Sequence, residues 1–427
     1  MIPEFRRAAL RAAAPARVPT LLRGLGWISI LYGAAKAATL LTQVAAGRWL
    51  GPAEFGRANL ALAAAAYLQI ATVLGFPVAI AKFLSAETEE DARARLVGTA
   101  LSLFALWSMF CLPLLWAARG AIERVLGLDD ALLGAALLVA AANSIYVVAA
   151  SPLLGLKNFF RRGLAEIVYG FFTLPTLFAL SAFLGRDYRA LVWAMTTGFG
   201  AGTLYALWAQ RRYLAAAFQP RALADLSRYA GLASLNLLAA ACVLAPARLL
   251  LHARGDDRAV GVFSAYFTAT IQAALALTYM IQSVVVPMAG DEAGQRETWA
   301  LIKRRGPAAT FAAWGLFAAA LAAALAVFGG RYPWRADWAA EFSLAAALAL
   351  AHGTLSALFS ARDMGGLRVS VIGGLIAGLA DVVLAARWIP SHGIGGAAGA
   401  LLAAYALGLA FFVSVRALTG ARAAAAA

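Results

Sequence analysis

Apolar stretches of about 20 residues recur along the whole chain, separated by short polar turns. They fall at 25–46, 58–81, 96–117, 131–152, 164–184, 190–209, 229–251, 260–288, 308–329, 342–360, 367–388 and 395–415. A helix rising 1.5 Å per residue needs about 20 apolar residues to cross about 30 Å of hydrocarbon. The pattern therefore predicts an all-α membrane protein with about twelve transmembrane helices. The segment 260–288 exceeds the length needed, so it is expected to tilt or to extend beyond the membrane. Between the sixth and seventh segments, residues 211–228 carry Arg211, Arg212, Tyr213, Leu214, Phe218, Leu223 and Leu226 at spacings that suit a short amphipathic stretch on the membrane surface. This connector divides the chain into two six-helix halves, 1–210 and 229–427.

Composition points the same way. Of 427 residues, 63% are hydrophobic and 13% charged, against about 25% charged in soluble domains. A single water-soluble core stops growing at roughly 250–300 residues, so a soluble enzyme is excluded. The net charge of +15 raises nucleic-acid binding as a question. The basic residues, however, stand singly or in pairs between apolar runs and form no continuous basic surface. The positive-inside rule accounts for them better. With the N-terminus inside, inward loops and ends carry 23 Lys and Arg and outward loops 11, leaving Lys36 and Arg248 inside apolar segments. The expectation is a multi-pass protein with both termini cytoplasmic. The N-terminal arginines lack a separate short apolar stretch with a cleavage site, so no removable signal is expected. Cys111 and Cys242 lie in apolar runs and read as buried small hydrophobes, with no disulfide framework and no metal site.

The two halves share a weak similarity. Leu50-Gly51-Pro52-Ala53-Glu54-Phe55-Gly56 follows the first segment, and Gly255-Asp256-Asp257-Arg258-Ala259-Val260-Gly261 follows the seventh. Six helices per half give both halves one orientation, which implies a repeat about an axis along the membrane normal, as in transporters with a central site.

Charges inside the membrane are costly and normally face a bundle interior or water. Lys36 lies near the middle of the first segment. Ser29, Tyr32, Thr39 and Gln43 flank it at steps of three and four, which puts all five on one helix face. A polar stripe with a central cation suggests a cavity for an anionic ligand; the other reading is an ion pair with a carboxylate on another helix. Asp381, beside Gly374 and Gly378, is open to pairing with Lys36, to binding a coupling cation or proton, or to a polar contact. Glu166 is a second candidate for ion coupling, unless it only reaches the cytoplasmic interface. Arg248, near the outer end of its segment, either contacts ligand or snorkels outward. Segment 260–288 carries Ser264, Thr268, Gln272, Tyr279 and Gln282 roughly on one face, with Gln272 the candidate cavity residue. Pro113, Pro175 and Pro246 are candidate kinks. No Walker-A loop, His-Glu-x-x-His, Cys-x-x-Cys or Gly-x-Ser-x-Gly occurs, so neither ATP use nor a familiar hydrolase or metal chemistry is indicated and no cofactor is expected.

Three stretches resemble one family. They are Arg48 to Gly56, continuing through Leu74-Gly75-Phe76-Pro77 to Lys82-Phe83; Arg248 to Leu251 with Ala259 to Tyr266 and Val286-Pro287; and Trp388 to Ala400. With the helix count, they resemble the oligosaccharide flippases, the polysaccharide transporters of the multidrug/oligosaccharidyl-lipid/polysaccharide exporter superfamily. Two positions depart from that pattern: Ala247 stands where an acidic residue often precedes the helix-seven arginine, and Asp381 where an amide is common. The resemblance implies a MATE-like pair of six-helix lobes working by alternating access. It implies an undecaprenyl-pyrophosphate-linked oligosaccharide as substrate, moved from the cytoplasmic to the outer leaflet. It further implies a monomeric transporter among membrane lipids, with polysaccharide polymerase machinery as a partner. Rival readings are a multidrug cation antiporter of the same superfamily, against which Lys36 argues, and the lipid II flippase branch, which typically has fourteen helices. A membrane-embedded glycosyl transferase or polymerase would need a sizeable outer loop, and none is present.

Overall fold

The computed structural model of the chain describes residues 18–214, 220–288, 292–361 and 364–425. Sixteen α-helices follow one another: α1 Val18–Leu50, α2 Pro52–Val73, α3 Phe76–Ala86, α4 Glu90–Ala117, α5 Arg119–Leu126, α6 Asp130–Gly155, α7 Phe159–Leu184 and α8 Arg189–Ala209, then α9 Pro220–Leu244, α10 Pro246–His252, α11 Asp257–Phe267, α12 Ala273–Met288, α13 Glu292–Phe328, α14 Ala336–Ser360, α15 Met364–His392 and α16 Ile394–Ala425. All twelve apolar segments are helical apart from local breaks. Among the described residues ten stretches are long and apolar enough to cross a membrane, and the bent pair α2–α3 makes eleven. The 33-residue α1 is not among these, but its length suffices for a crossing as well.

The breaks have local causes. Segment 58–81 is two helices at 48°, because Leu74 and Gly75 both take left-handed backbone (φ 43° and 67°) and Pro77 cannot donate to the preceding turn. A side chain at Gly75 would run into the Ala230 carbonyl, so the same glycine lets α9 approach the bend. Segment 229–251 breaks at Ala245, one residue before Pro246. Segment 260–288 is crossed by a π-helical turn, Thr268–Gln272, between α11 and α12, the kind of irregularity common at functional sites. Pro113 and Pro175 lie inside α4 and α7 without ending them. The connector after α8 forms a short 3₁₀ turn at Arg211–Tyr213; 215–219 lie outside the described residues, and from Pro220 the chain is again helical.

Two groups of helices pack internally. In the first, α1 lies on α7, α7 on α8, and α2 on α6, with α6 also touching α8; in the second, α14, α15 and α16 pack together and α12, α13 and α9 lie against them. Large apolar side chains such as Phe183, Met109 and Phe311 are exposed on the outside of the bundle, as lipid-facing positions require, since lipid solvates them.

The groups meet where α2 crosses α11 and where α9 packs on α2, α3 and α4. A Cβ on Gly56 would stand 2.0 Å from the Asp257 carbonyl, and one on Gly261 1.8 Å from the Pro52 carbonyl. The two similar loops noticed in the sequence thus supply the reciprocal glycines of one crossing, where only residues without side chains let backbones approach so closely.

Candidate functional site

Lys36 does not stand alone. Its Nζ lies 3.6 Å from Glu166 Oε2 on α7, and Arg162, one turn earlier on α7, places an Nη atom 2.7 Å from Glu166 Oε1. Arg162 also donates to the Tyr146 hydroxyl at 3.2 Å. The Lys36 ammonium sits 4.8 Å from the Tyr32 ring centroid. Behind the charges, Tyr146, Tyr169 and Phe199 form an aromatic stack, with Tyr169 and Phe199 parallel at 4.5 Å. Glu166 is 6% exposed and Arg162 16%, whereas Lys36 keeps 29% of its side chain open. Two cations therefore share one carboxylate. The cluster carries a formal charge of +1, and Lys36 is its open member.

Glu166 stands seven residues after the start of α7, and at 1.5 Å per residue that is about 10 Å of helix. Lys36 stands fourteen residues before the end of α1, about 21 Å by the same rise. The cluster is thus nearer one membrane face than the midplane position expected from the sequence.

Arg162 escaped the sequence reading because it was counted with the loop at 157–162. α7 begins at Phe159, so Arg162 is helical, and its i,i+4 spacing to Glu166 was the available signal. Glu166 does not reach out to the interface; it is buried between the two cations. Of the α1 stripe, Tyr32 packs against Tyr279 of α12 with centroids 6.1 Å apart. Thr39 turns its hydroxyl back to the Ala35 carbonyl. Gln43 is buried and its Nε2 approaches Met195 Sδ at 3.9 Å. The side chain of Ser29 lies outside the described residues.

Other expected partners stay apart. Arg248 does not snorkel: at 4% exposure it donates to Ser264 Oγ and to the Leu244 carbonyl freed at the α9–α10 break. Its guanidinium lies 4.4 Å from the Phe267 ring centroid, a cation–π contact. Gln272 lies in the π turn. No ion pair or hydrogen bond joins Arg248 or Gln272 to the Lys36 cluster among the described residues. Asp381 does not pair with Lys36. Both of its carboxylate oxygens are buried without a hydrogen-bond partner among the described residues. Around it stand Tyr67, Cys242 and Tyr405, within electrostatic range. Gly378, one turn earlier, packs against the Ala239 carbonyl and Cys242 of α9.

The α2–α11 crossing is reinforced at one end of the bundle. Phe55 packs on Phe328 and Tyr332 at 5.8 and 6.4 Å. The Tyr332 hydroxyl donates to the Gly47 carbonyl at 2.8 Å and Arg48 to the Val327 carbonyl at 3.2 Å. All of these link the first group of helices to the second, so this end is sealed.

An all-helical bundle of two lobes with a sealed end and intramembrane charges has the architecture of a membrane transporter, and known structures share it. A multidrug resistance MATE family transporter of the MOP superfamily, inward-facing, aligns with TM-score 0.65 at 15% identity, covering 92% of this chain and 95% of that one. The same kind of transporter facing outward aligns at 0.59, 16% identity, 93% and 96% coverage. The lipid II flippase MurJ, inward closed, aligns at 0.61, 12% identity, 91% and 87% coverage. The fold is MATE-like. The chain belongs to the polysaccharide biosynthesis protein family, whose profile matches residues 21–291. None of the curated proteins matches it in sequence.

Proposed function

We propose that the protein is a flippase. It carries an undecaprenyl-pyrophosphate-linked oligosaccharide from the cytoplasmic to the outer leaflet of the bacterial inner membrane, for surface polysaccharide synthesis. The observation that carries this reading is the net-positive Lys36–Arg162–Glu166 cluster inside the membrane span of a polysaccharide biosynthesis family member. Glu166 occupies and orients Arg162, while Lys36 keeps donors free for a second anion, and a lysine ammonium is a compact charge suited to phosphate. With both termini cytoplasmic, the cluster lies about 10 Å inside the cytoplasmic face by the helical rise, within reach of a lipid pyrophosphate entering from that leaflet. The sealed end is then the outer one, as alternating access needs while substrate loads from inside. The two lobes rock about this seal. The transporter works as a monomer and delivers its product to the polymerisation machinery outside.

The test uses liposomes holding purified protein and a fluorescent short-chain prenyl-pyrophosphate oligosaccharide, with exposure of the label on the far leaflet as readout. Lys36→Ala is expected to slow flipping about 10- to 100-fold, the range of one charge-assisted hydrogen bond of about 1.5–3 kcal/mol. Arg162 remains to neutralise Glu166, so the variant should fold. Equal rates for both proteins would make Lys36 structural. Movement of a cationic dye without the lipid-linked sugar would transfer the reading to the multidrug antiporter.

Coupling is proposed at Asp381. A buried carboxylate without a partner is expensive, so the site is suited to binding a proton or small cation on part of the cycle. Replacing Asp381 by Asn should leave folding intact, because it removes an unpaired buried charge. It should abolish stimulation of flipping by an imposed proton or sodium gradient. Unchanged gradient dependence in Asp381→Asn would remove Asp381 from coupling and return it to structure.

A further inference from the structure

A second polar site opens at the sealed end of the bundle, away from the Lys36 cluster. Between the start of α14, the end of α15 and the first turns of α16 lies a cavity of about 480 Å³, lined by Trp338, Trp388, Arg335, Asp337, Glu341 and His392. That volume falls within the roughly 300–1,000 Å³ of small-molecule sites.

Its shape follows from glycines. Gly395, Gly396 and Gly399 also line it, on the first turns of α16. A Cβ on Gly399 would stand 3.5 Å from Trp388 Cζ3 and one on Gly395 3.2 Å from Trp338 Nε1. With hydrogen at both positions, part of the Trp388 ring and the Trp338 indole N–H are left uncovered. The walls are held in place. Tyr266 packs edge-on against Trp338 with centroids 5.9 Å apart, and the Tyr266 hydroxyl accepts from Arg335 N at 3.0 Å. Arg335 lies 4.7 Å from the Trp338 centroid and clasps Asp337 through two bonds of 3.1 and 2.7 Å. Glu341 Oε2 has no hydrogen-bond partner among the described residues.

We propose that this cavity binds a sugar unit of a free or growing glycan, a neutral or amino-sugar pyranose stacked on Trp388. An indole face takes up the apolar C–H face of a pyranose by the same burial that makes aromatics anchors elsewhere. Hydroxyls of the same ring need donors and acceptors around its edge, and Glu341, Asp337, His392, Arg335 and the Trp338 N–H supply both kinds. The charges weigh against an anion. With Arg335 and Asp337 neutralising each other, the unpaired Glu341 opposes a uronic acid or a phosphate. The ring of donors and acceptors around the Trp388 face, and not charge, distinguishes a sugar from a greasy organic cation. The choice of a sugar rests on the flippase reading, which would make this an outer-face site that retains the delivered saccharide away from the translocation path.

The test needs no translocation, so it can fail or succeed separately from the flippase assay. Purified full-length protein in nanodiscs is titrated with lactose, N,N′-diacetylchitobiose, digalacturonate and tetraphenylphosphonium, followed by saturation-transfer NMR and calorimetry. Lactose or diacetylchitobiose should bind. Glu341→Ala and Gly399→Leu, the second filling the space beside Trp388, should each weaken that binding about tenfold, a loss of about 1.4 kcal/mol. Flipping by Glu341→Ala separates the two readings, since it should continue. No sugar binding, equal sugar binding by wild type and both variants, or preference for tetraphenylphosphonium or digalacturonate overturns the proposal.

Discussion

Gly261→Leu is expected to reduce lipid-linked oligosaccharide flipping about 100-fold while leaving each lobe folded. The Cβ of any side chain at this position would stand 1.8 Å from the Pro52 carbonyl. Both atoms belong to or spring directly from backbone, so no rotamer change relieves the overlap, and close-packed interiors transmit such strain instead of absorbing it. The cheapest escape is to part α2 from α11, which opens the sealed end. If parting costs the sealed state about 3 kcal/mol, its population relative to the open state falls roughly 100-fold. A distance measurement reads this directly. Spin labels at Arg186→Cys and Arg258→Cys, both exposed and on opposite lobes, should move apart in the Gly261→Leu background, with Cys111 and Cys242 buried and unlabelled. Wild-type distances together with wild-type flipping would mean that the crossing does not gate transport.

The second large effect belongs to Glu166. Removing it leaves the mostly buried Arg162 and the half-buried Lys36 without their shared counter-charge. Breaking a buried pair from one side costs about 3–5 kcal/mol, so Glu166→Ala should yield little folded protein and a lower thermal midpoint. The triple variant Lys36→Met, Arg162→Met and Glu166→Leu should recover much of that stability, because apolar replacement of a whole buried ion cluster is often neutral. It should not recover flipping. Its thermal midpoint beside that of Glu166→Ala separates this from an ion-coupling role. If Glu166 mainly carried a coupling ion, Glu166→Ala would fold normally and lose only gradient dependence.

These expectations locate what each level of description contributes. Lys36, Glu166 and Asp381 were visible in the sequence for one reason: a charge in an apolar run is costly enough to need an explanation. Their pairing was not visible. The polar stripe of α1 fixed the face of Lys36, yet the carboxylate opposite it came from a helix 130 residues further on, and the choice of Glu166 over Asp381 depended on which helices pack. Arg162 was missed through a boundary: shifting the start of α7 to Phe159 moves it from a loop into the membrane and into register with Glu166. Arg248 was misjudged because a position near a span end permits snorkelling, whereas the break at Pro246 and the rings of Phe263 and Phe267 hold it inside.

The cavity between α14, α15 and α16 illustrates the same division. Nothing local in the sequence distinguishes a tryptophan that anchors a helix at the interface from one that walls a cavity, so Trp338 and Trp388 gave no signal of it. Only the meeting of α14, α15 and α16 puts them around one volume.

The sequence by itself determined that this is an all-helical membrane protein of about twelve apolar segments, that Pro246 interrupts its helix, and which charges are out of place. Those properties follow from the transfer cost of each residue and the chemistry of its own backbone, which are local. The tertiary structure alone decided which cation meets which carboxylate, that Asp381 is left without a partner, and that Gly56 and Gly261 form one crossing. Such contacts depend on helix rotation and on pairing between lobes, set by packing summed over the whole bundle, and lipid, being as apolar as leucine, gives the chain no local signal of where a neighbouring helix will lie.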